Sequence, residues 1–277
     1  MRMVGYLLSF KGNRGKVKRN NIKRYTSIYW WKDKVNFGDA LAPLLLEYYG
    51  NVVPLWSTPK SSQVLITGSN LDVIPFKNWK GIVAGAGCLH RKKNVDLSQS
   101  QVLGLRGKLT VANISGLKNK DYVLGDPGLL ASELVSPDIG KYKLGVIPHW
   151  SDKELFDKEL NKSIRYKYAS PTLIDVAKPP LEVIKDIGSC DKIVSSSLHG
   201  LIVADSFGIP RRAEPFPGMK DNPYEGKTFK FEDYSSVIGL PIEFGKLQLV
   251  SREIIDTRKA ELFDMMKELQ RSLYATI

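Results

Sequence analysis

Short apolar runs bounded by turn residues recur along this chain and alternate with stretches whose apolar positions follow a helical period. The runs at 27–30, 63–68, 81–85 and 101–105 read as buried strands, and so does 122–125; helix-like segments occupy 39–49 and 107–114. A second series begins with strands at 143–148 and 172–176. It continues through a helix at 181–187, a strand at 192–194 and a helix from Leu201, with Gly208 and Pro210 as stop signals. Such alternation predicts an α/β protein with mostly parallel sheets. The break near Val135-Ser136-Pro137-Asp138 separates an N-terminal α/β domain, 26–136, from a C-terminal one, 137–250. Residues 251–277 read as a C-terminal amphipathic helix, with Ile254, Ile255, Leu262, Phe263, Met266, Leu269 and Leu273 on one face.

Composition narrows the class. The 277 residues are 43% hydrophobic and 25% charged, ordinary values for a globular protein with a substantial core. The only cysteines, Cys88 and Cys190, sit far apart in apolar surroundings with no metal-ligand spacing, which predicts inert thiols in a reducing compartment and no metal site. Basic residues follow the first ten, a pattern unlike a secretory signal, and no run approaches the ~20 apolar residues of a spanning helix. The expected location is the cytoplasm.

Charge is unevenly placed. Of the formal net charge of +12, most lies in residues 1–35, where ten Lys or Arg face Asp33 alone. The basic segment 1–25, followed by Tyr29, Trp30 and Trp31, is either a solvated arm or a surface for an anionic membrane or nucleic acid; the membrane is the expected partner of the two, and nucleic acid is not.

The polar residues that could carry chemistry follow predicted strands, where open α/β sheets bind ligands. Ser195-Ser196-Ser197-Leu198-His199-Gly200 opens a predicted helix, whose amides and dipole favour an anion. His199 there is either a satisfied structural residue or a proton carrier. In Asn36-Phe37-Gly38-Asp39, Asp39 is either the helix N-cap or a carboxylate presented as a base. Gly85-Ala86-Gly87 permits close backbone approach to a ligand, but His90 replaces the third glycine of a dinucleotide site. Arg106, in Leu105-Arg106-Gly107, offers a planar fork for carboxylate or phosphate, or else a surface salt bridge. Asp126, in Gly125-Asp126-Pro127, closes a turn or orients a partner, and His149 after Pro148 is either structural or catalytic.

In their order along residues 27–234, these segments, together with Lys230-Phe231-Glu232-Asp233-Tyr234, resemble the polysaccharide pyruvyltransferase family. The resemblance implies two Rossmann-like domains in a GT-B-like arrangement. It implies transfer of the enolpyruvyl unit of phosphoenolpyruvate to two hydroxyls of a sugar, giving a pyruvate ketal and phosphate. Phosphoenolpyruvate is then the donor substrate and no separate cofactor is expected. The acceptor is a glycan or lipid-linked oligosaccharide in surface or exopolysaccharide biosynthesis, which suits peripheral contact at the inner membrane face.

The resemblance carries roles onto particular residues. His199, Asp39 and His149 become the acid and base candidates. Arg106, Asn36, Gly87, Ser196, Ser197, Gly200 and Lys230 become the substrate-binding set. Many members carry arginine where this chain has Ser197, so Arg106 and Lys230 are the cations expected to serve in its place. Two other readings predict different behaviour. A GT-B glycosyltransferase would respond to a nucleotide sugar, and a noncatalytic basic module would lose all binding without residues 1–24.

Overall fold

In a computed structural model of the protein, residues 24–72, 78–91, 94–118, 121–149, 171–214 and 228–275 are described. The basic segment up to Lys23 and Trp150 lie outside them.

Strand β1 (Arg24–Ile28) leads into helix α1 (Phe37–Gly50) and strand β2 (Val52–Trp56). Strands β3 (Val64–Leu65), β4 (Ile82–Ala84), β5 (Val95–Asp96) and β6 (Gln101–Leu105) follow. Then come α2 (Lys108–Ala112), β7 (Ile114–Ser115), β8 (Val123–Leu124) and a 3-10 helix, Pro127–Leu134. Six of these strands form one sheet in the order β2-β1-β3-β4-β6-β8, every pairing parallel, while β5 and β7 pair separately.

The second series is β9 (Gly145–Ile147), β10 (Thr172–Leu173), α3 (Pro180–Gly188), β11 (Ile193–Ser195), α4 (Leu198–Phe207) and β12 (Arg211–Ala213). Its sheet is also parallel, in the order β10-β9-β11-β12. Helices α5 (Phe229–Ile238) and α6 (Arg252–Ala275) complete the described elements. The α/β class with parallel sheets is therefore as the apolar pattern predicts.

Both sheets reverse their strand order, between β1 and β3 in the first and between β9 and β11 in the second. Chain leaving the carboxyl ends on either side of such a reversal diverges and opens a crevice. One apolar cluster joins the two sheets: Leu41 and Leu45 of α1 and Leu129 and Leu130 of the 3-10 helix belong with Ile184 and Ile187 of α3 and Leu201 and Ile202 of α4. This shared core holds the two crevices in register.

Helix α6 returns to the first half and packs on α1, the 3-10 helix and strands β4, β6 and β8. It buries Ile255, Leu262, Met265, Met266, Leu269 and Leu273. Gly104 of β6 lets it approach closely, since a methyl there would lie 2.3 Å from Met265 Sδ. Phe263, which the sequence puts on the buried face, is 44% exposed and meets Tyr49 edge-on at 6.0 Å; Met265 takes its place in the core.

Other boundaries differ from the sequence reading. The first strand begins at Arg24 because the pairing with β2 runs Arg24↔Val52 to Ile28↔Trp56. The helix expected over 107–114 stops at Ala112, and Ile114 enters the pair with β5. Strand β12 was hidden by its two arginines. Arg211 is nonetheless fully buried, its charge met by Asp205 at 3.1 Å and its fork by Gln248 at 2.8 Å.

Candidate active site

Three helix starts converge where the sheets meet. Asn36 caps α1, accepting from Gly38 N at 3.1 Å. Asp126 caps the 3-10 helix, accepting from Gly128 N at 2.9 Å, and Ser197 stands at the N-cap of α4 in extended backbone. First-turn amides and helix dipoles make such ends favourable places for negative charge; at the first two a cap side chain already takes an amide, while α4 has no side-chain cap.

His199, at the second position of α4, comes from the second half and inserts among residues of the first. Its Nε2 lies 3.2 Å from Thr67 Oγ1 and 3.7 Å from Asp126 Oδ2. Its Nδ1 lies against Gly38: a methyl built on that glycine would be 2.2 Å away. The ring is 13% exposed.

Thr67, Gly68 and Ser69 leave β3 as the hub of this arrangement. Thr67 Oγ1 donates to Asp126 Oδ1 at 2.8 Å. Gly68 adopts φ 101°, a left-handed value that glycine takes without strain, and its Cα faces the Asp39 carboxylate. Ser69 Oγ accepts from Arg106 Nη1 at 2.5 Å.

The sequence left Asp39 as a cap or a base. The structure corrects the first of these: Asn36 is the cap, and Asp39 stands three positions further on, its carboxylate hydrogen-bonded by the Asn36 amide. The side-chain carbonyl of Asn36 reaches Gly38 N directly, leaving Asp39 for other work. Burial raises the Asp39 carboxyl above its ordinary value, against the opposing pull of His199, Asn36 and Lys230. A raised carboxyl is better matched to proton transfer near neutral pH than an ordinary one. At Asp126 burial also raises the carboxyl, but the His199 contact, the Gly128 N–H and the Arg106 charge outweigh it and hold it below 3.8.

Arg106 has no exposed surface. Its Nε meets Asp233 Oδ2 at 2.9 Å and its Nη2 donates to the Cys88 carbonyl at 2.5 Å, in addition to the Ser69 contact. The alternative of a surface salt bridge is thereby replaced by a buried one. Asp233, also fully buried, accepts from Thr110 N at 2.8 Å and Thr110 Oγ1 at 2.6 Å. The space beside Gly87 is filled by the Arg106 guanidinium, 2.3 Å from where a methyl would be. The guanidinium thus anchors α5, and α5 carries Lys230 toward Asp39.

The remaining candidates line the second sheet's crevice. Ser196 Oγ accepts from His149 N at 2.8 Å, so the two strand ends are tied together. Gly200 packs on Ser195, whose Oγ would be 2.4 Å from an added methyl. Asn36, Asp39, His199 and Lys230 are thus gathered at one place, His149, Ser196 and Ser197 flank it, and Arg106 and Gly87 lie beneath it. Thr67 and Asp233 carry more of the geometry than the sequence suggested. Their signals were a hydroxyl directly after an apolar strand and an acidic residue inside an aromatic helix. Among the described residues no group of three His, Cys, Asp or Glu could hold a metal ion, and no helix is long and apolar enough to cross a membrane.

Comparison with known proteins places this geometry in context. A family profile described as Polysaccharide pyruvyl transferase matches residues 6–213. An uncharacterized protein of Acanthamoeba polyphaga mimivirus is 32% identical over 179 residues, covering 61% of this chain and 58% of its own length. The succinoglycan biosynthesis protein ExoV of Rhizobium meliloti is 24% identical over 219 residues, covering 76% of this chain and 64% of its own length. The chain therefore spans about three fifths of each curated relative. A crystal structure of a functionally uncharacterized protein from Klebsiella pneumoniae aligns at a TM-score of 0.41 and 15% identity, over 85% of this chain and 93% of that one.

Proposed function

Since the chain belongs to the polysaccharide pyruvyl transferase family, we propose that it transfers the pyruvyl unit of phosphoenolpyruvate onto two hydroxyls of a sugar. The observation that carries this reading is the meeting of three helix starts around His199, beside Asp39 and Lys230. A small donor with a carboxylate and a phosphate needs fixed positive ends with little side-chain rearrangement, and helix amides supply them. Two parallel sheets with facing carboxyl ends are also what a GT-B-like arrangement would use.

In the chemistry we assign, an acid gives a proton to the methylene carbon of the donor, and C2 takes on oxocarbenium character. The first sugar hydroxyl adds to C2 as its proton passes to a base. The C2–O bond to phosphate then breaks, its electron pair leaving with phosphate, and the second hydroxyl closes the ketal as its proton is carried off with the phosphate. We assign His199 as the acid or the phosphate contact. Asp39, with its raised carboxyl, or His149 serves as the base. Arg106, expected from the sequence to grip the donor, is fully buried with its charge met by Asp233, so in this reading it acts indirectly, through the placement of Ser69 and of α5 with Lys230.

The acceptor class follows from the Rhizobium relative, whose name assigns it to succinoglycan biosynthesis; an exopolysaccharide unit or its lipid-linked precursor is the corresponding substrate here. Salt-sensitive binding to anionic vesicles would support membrane contact by the basic segment 1–25. Phosphoenolpyruvate should raise the melting temperature while a nucleotide sugar does not. Mass spectrometry of a lipid-linked oligosaccharide incubated with protein and phosphoenolpyruvate should show the ketal. Stabilisation by the nucleotide sugar alone would overturn the reading in favour of a glycosyltransferase.

A further inference from the structure

The hydrogen-bond chain behind His199 determines which of its nitrogens can react. The Thr67 hydroxyl owns a single proton and lies 2.8 Å from Asp126 Oδ1. An ionised carboxylate can only accept, so that proton points at Asp126. What Thr67 then offers His199 Nε2, at 3.2 Å, is an oxygen lone pair, and Nε2 must bring the hydrogen. Asp126 Oδ2 is buried, has no hydrogen-bond partner among the described residues and lies 3.7 Å from the same nitrogen. Its charge favours a proton there as well. The opposite arrangement, with Thr67 donating to Nε2, requires a neutral Asp126, whereas the surroundings hold that carboxyl below its ordinary value.

We propose that Asp126, acting through Thr67, is the positioning residue that fixes His199 as the tautomer protonated on Nε2, leaving Nδ1 as the nitrogen that exchanges its proton with the bound donor. The first half of this statement concerns the protein alone; the second rests on the reading of the site as a donor pocket. Nδ1 is the nitrogen turned toward Gly38 and the start of α1, where the absence of a side chain leaves it room. Asn36 and Asp39 of α1 and Lys230 of α5 are the polar groups grouped on that side, and Arg106 stands behind Asp126. The imidazole comes from the second half of the chain and its tautomer from the first. The reactive nitrogen is therefore defined only when the two halves are assembled.

The test is long-range proton–nitrogen NMR on ligand-free protein labelled at its three histidines, with H199Q assigning the signal. The expected spectrum has a pyrrole-like Nε2 and a pyridine-like Nδ1 at His199. D126N, whose oxygen stays on the Gly128 N–H and Thr67 while its NH2 takes the place of Oδ2 beside Nε2, removes the charge and sets a donor against that nitrogen, and should shift the ring toward the Nδ1-protonated form. T67V should leave a mixture and T67S should keep the wild-type form. With phosphoenolpyruvate and acceptor, D126N should lower kcat by about 10²–10⁴-fold, the range for loss of a positioned acid or base, with little change in KM for the donor. An Nδ1-protonated ring in the wild type, or a tautomer indifferent to both T67V and D126N, would overturn the proposal. Should the tautomer be as expected while phosphoenolpyruvate fails to stabilise the protein, the donor reading fails and the assignment of Asp126 stands.

Discussion

Removing the Asp233 carboxylate should show how much of the site depends on a charge pair that never meets solvent. In Asp233→Ala the Arg106 guanidinium stays fully buried and loses its 2.9 Å partner, while Thr110 loses the acceptor of both its N–H and its hydroxyl. Breaking a buried pair from one side costs about 3–5 kcal/mol, because a desolvated charge is left without compensation. Domains are stable by roughly 5–15 kcal/mol, so about a fifth or more of the total is at risk. At about 2–4 °C per kcal/mol for a chain of this order, the melting temperature should fall by about 6–20 °C. Urea unfolding followed by circular dichroism measures the loss directly, with the slope m as the check that the same surface unfolds. Arg106→Met combined with Asp233→Leu leaves no charge behind and should cost less than the single replacement. A loss below about 1 kcal/mol for Asp233→Ala, as for an exposed pair, or a double variant no milder than the single one, would refute the reasoning. Activity should fall further than stability, since α5 carries both Asp233 and Lys230.

Gly38→Ala puts a methyl 2.2 Å from His199 Nδ1; turnover should drop by about 10²-fold from the displaced ring, and urea unfolding should show an overpacking cost of about 1–3 kcal/mol. Burial pushes the thiols of Cys88 and Cys190 up to about 12, so neither should react with a disulfide reagent at neutral pH until urea unfolds the protein. The Asp126 carboxyl is held lower in the folded state than its ordinary 3.8, so its stabilising contribution is present above that pH and lost as pH falls below it. Urea titrations at a series of pH values should accordingly show a shallower acid decline for Asp126→Asn than for wild type, and parallel curves would contradict the assignment.

The elements that announced themselves in sequence were those whose burial is purely apolar. Runs such as Val64 to Ile66 and Ile82 to Ala84 were legible because nothing in them competes with the hydrophobic pattern. Strand β12 was not, because Arg211 and Arg212 look solvated until Asp205, Gln248 and Glu214 are brought in from elsewhere in the chain. Arg106 has the same character. Its position after a strand was readable, but a partner 127 residues away on α5 decides that it is buried. His199 and Asp39 stood out through their local setting at helix starts. Thr67 did not, since a lone hydroxyl at a strand end carries no pattern, and its importance lies in contacts to residues 59 and 132 positions away.

The return of α6 onto the first sheet has a bearing on how the chain matures. Strands β4, β6 and β8 are translated well before the helix that covers them, with β8 ending at Leu124 and α6 starting at Arg252. At roughly 5–20 residues per second, the ribosome takes about 10 s to cover that gap. For that interval the nascent sheet presents an uncovered apolar face, including the surface at Gly104 that Met265 later occupies. Until the helix is made, that face is open to the non-native association to which incomplete α/β sheets are prone.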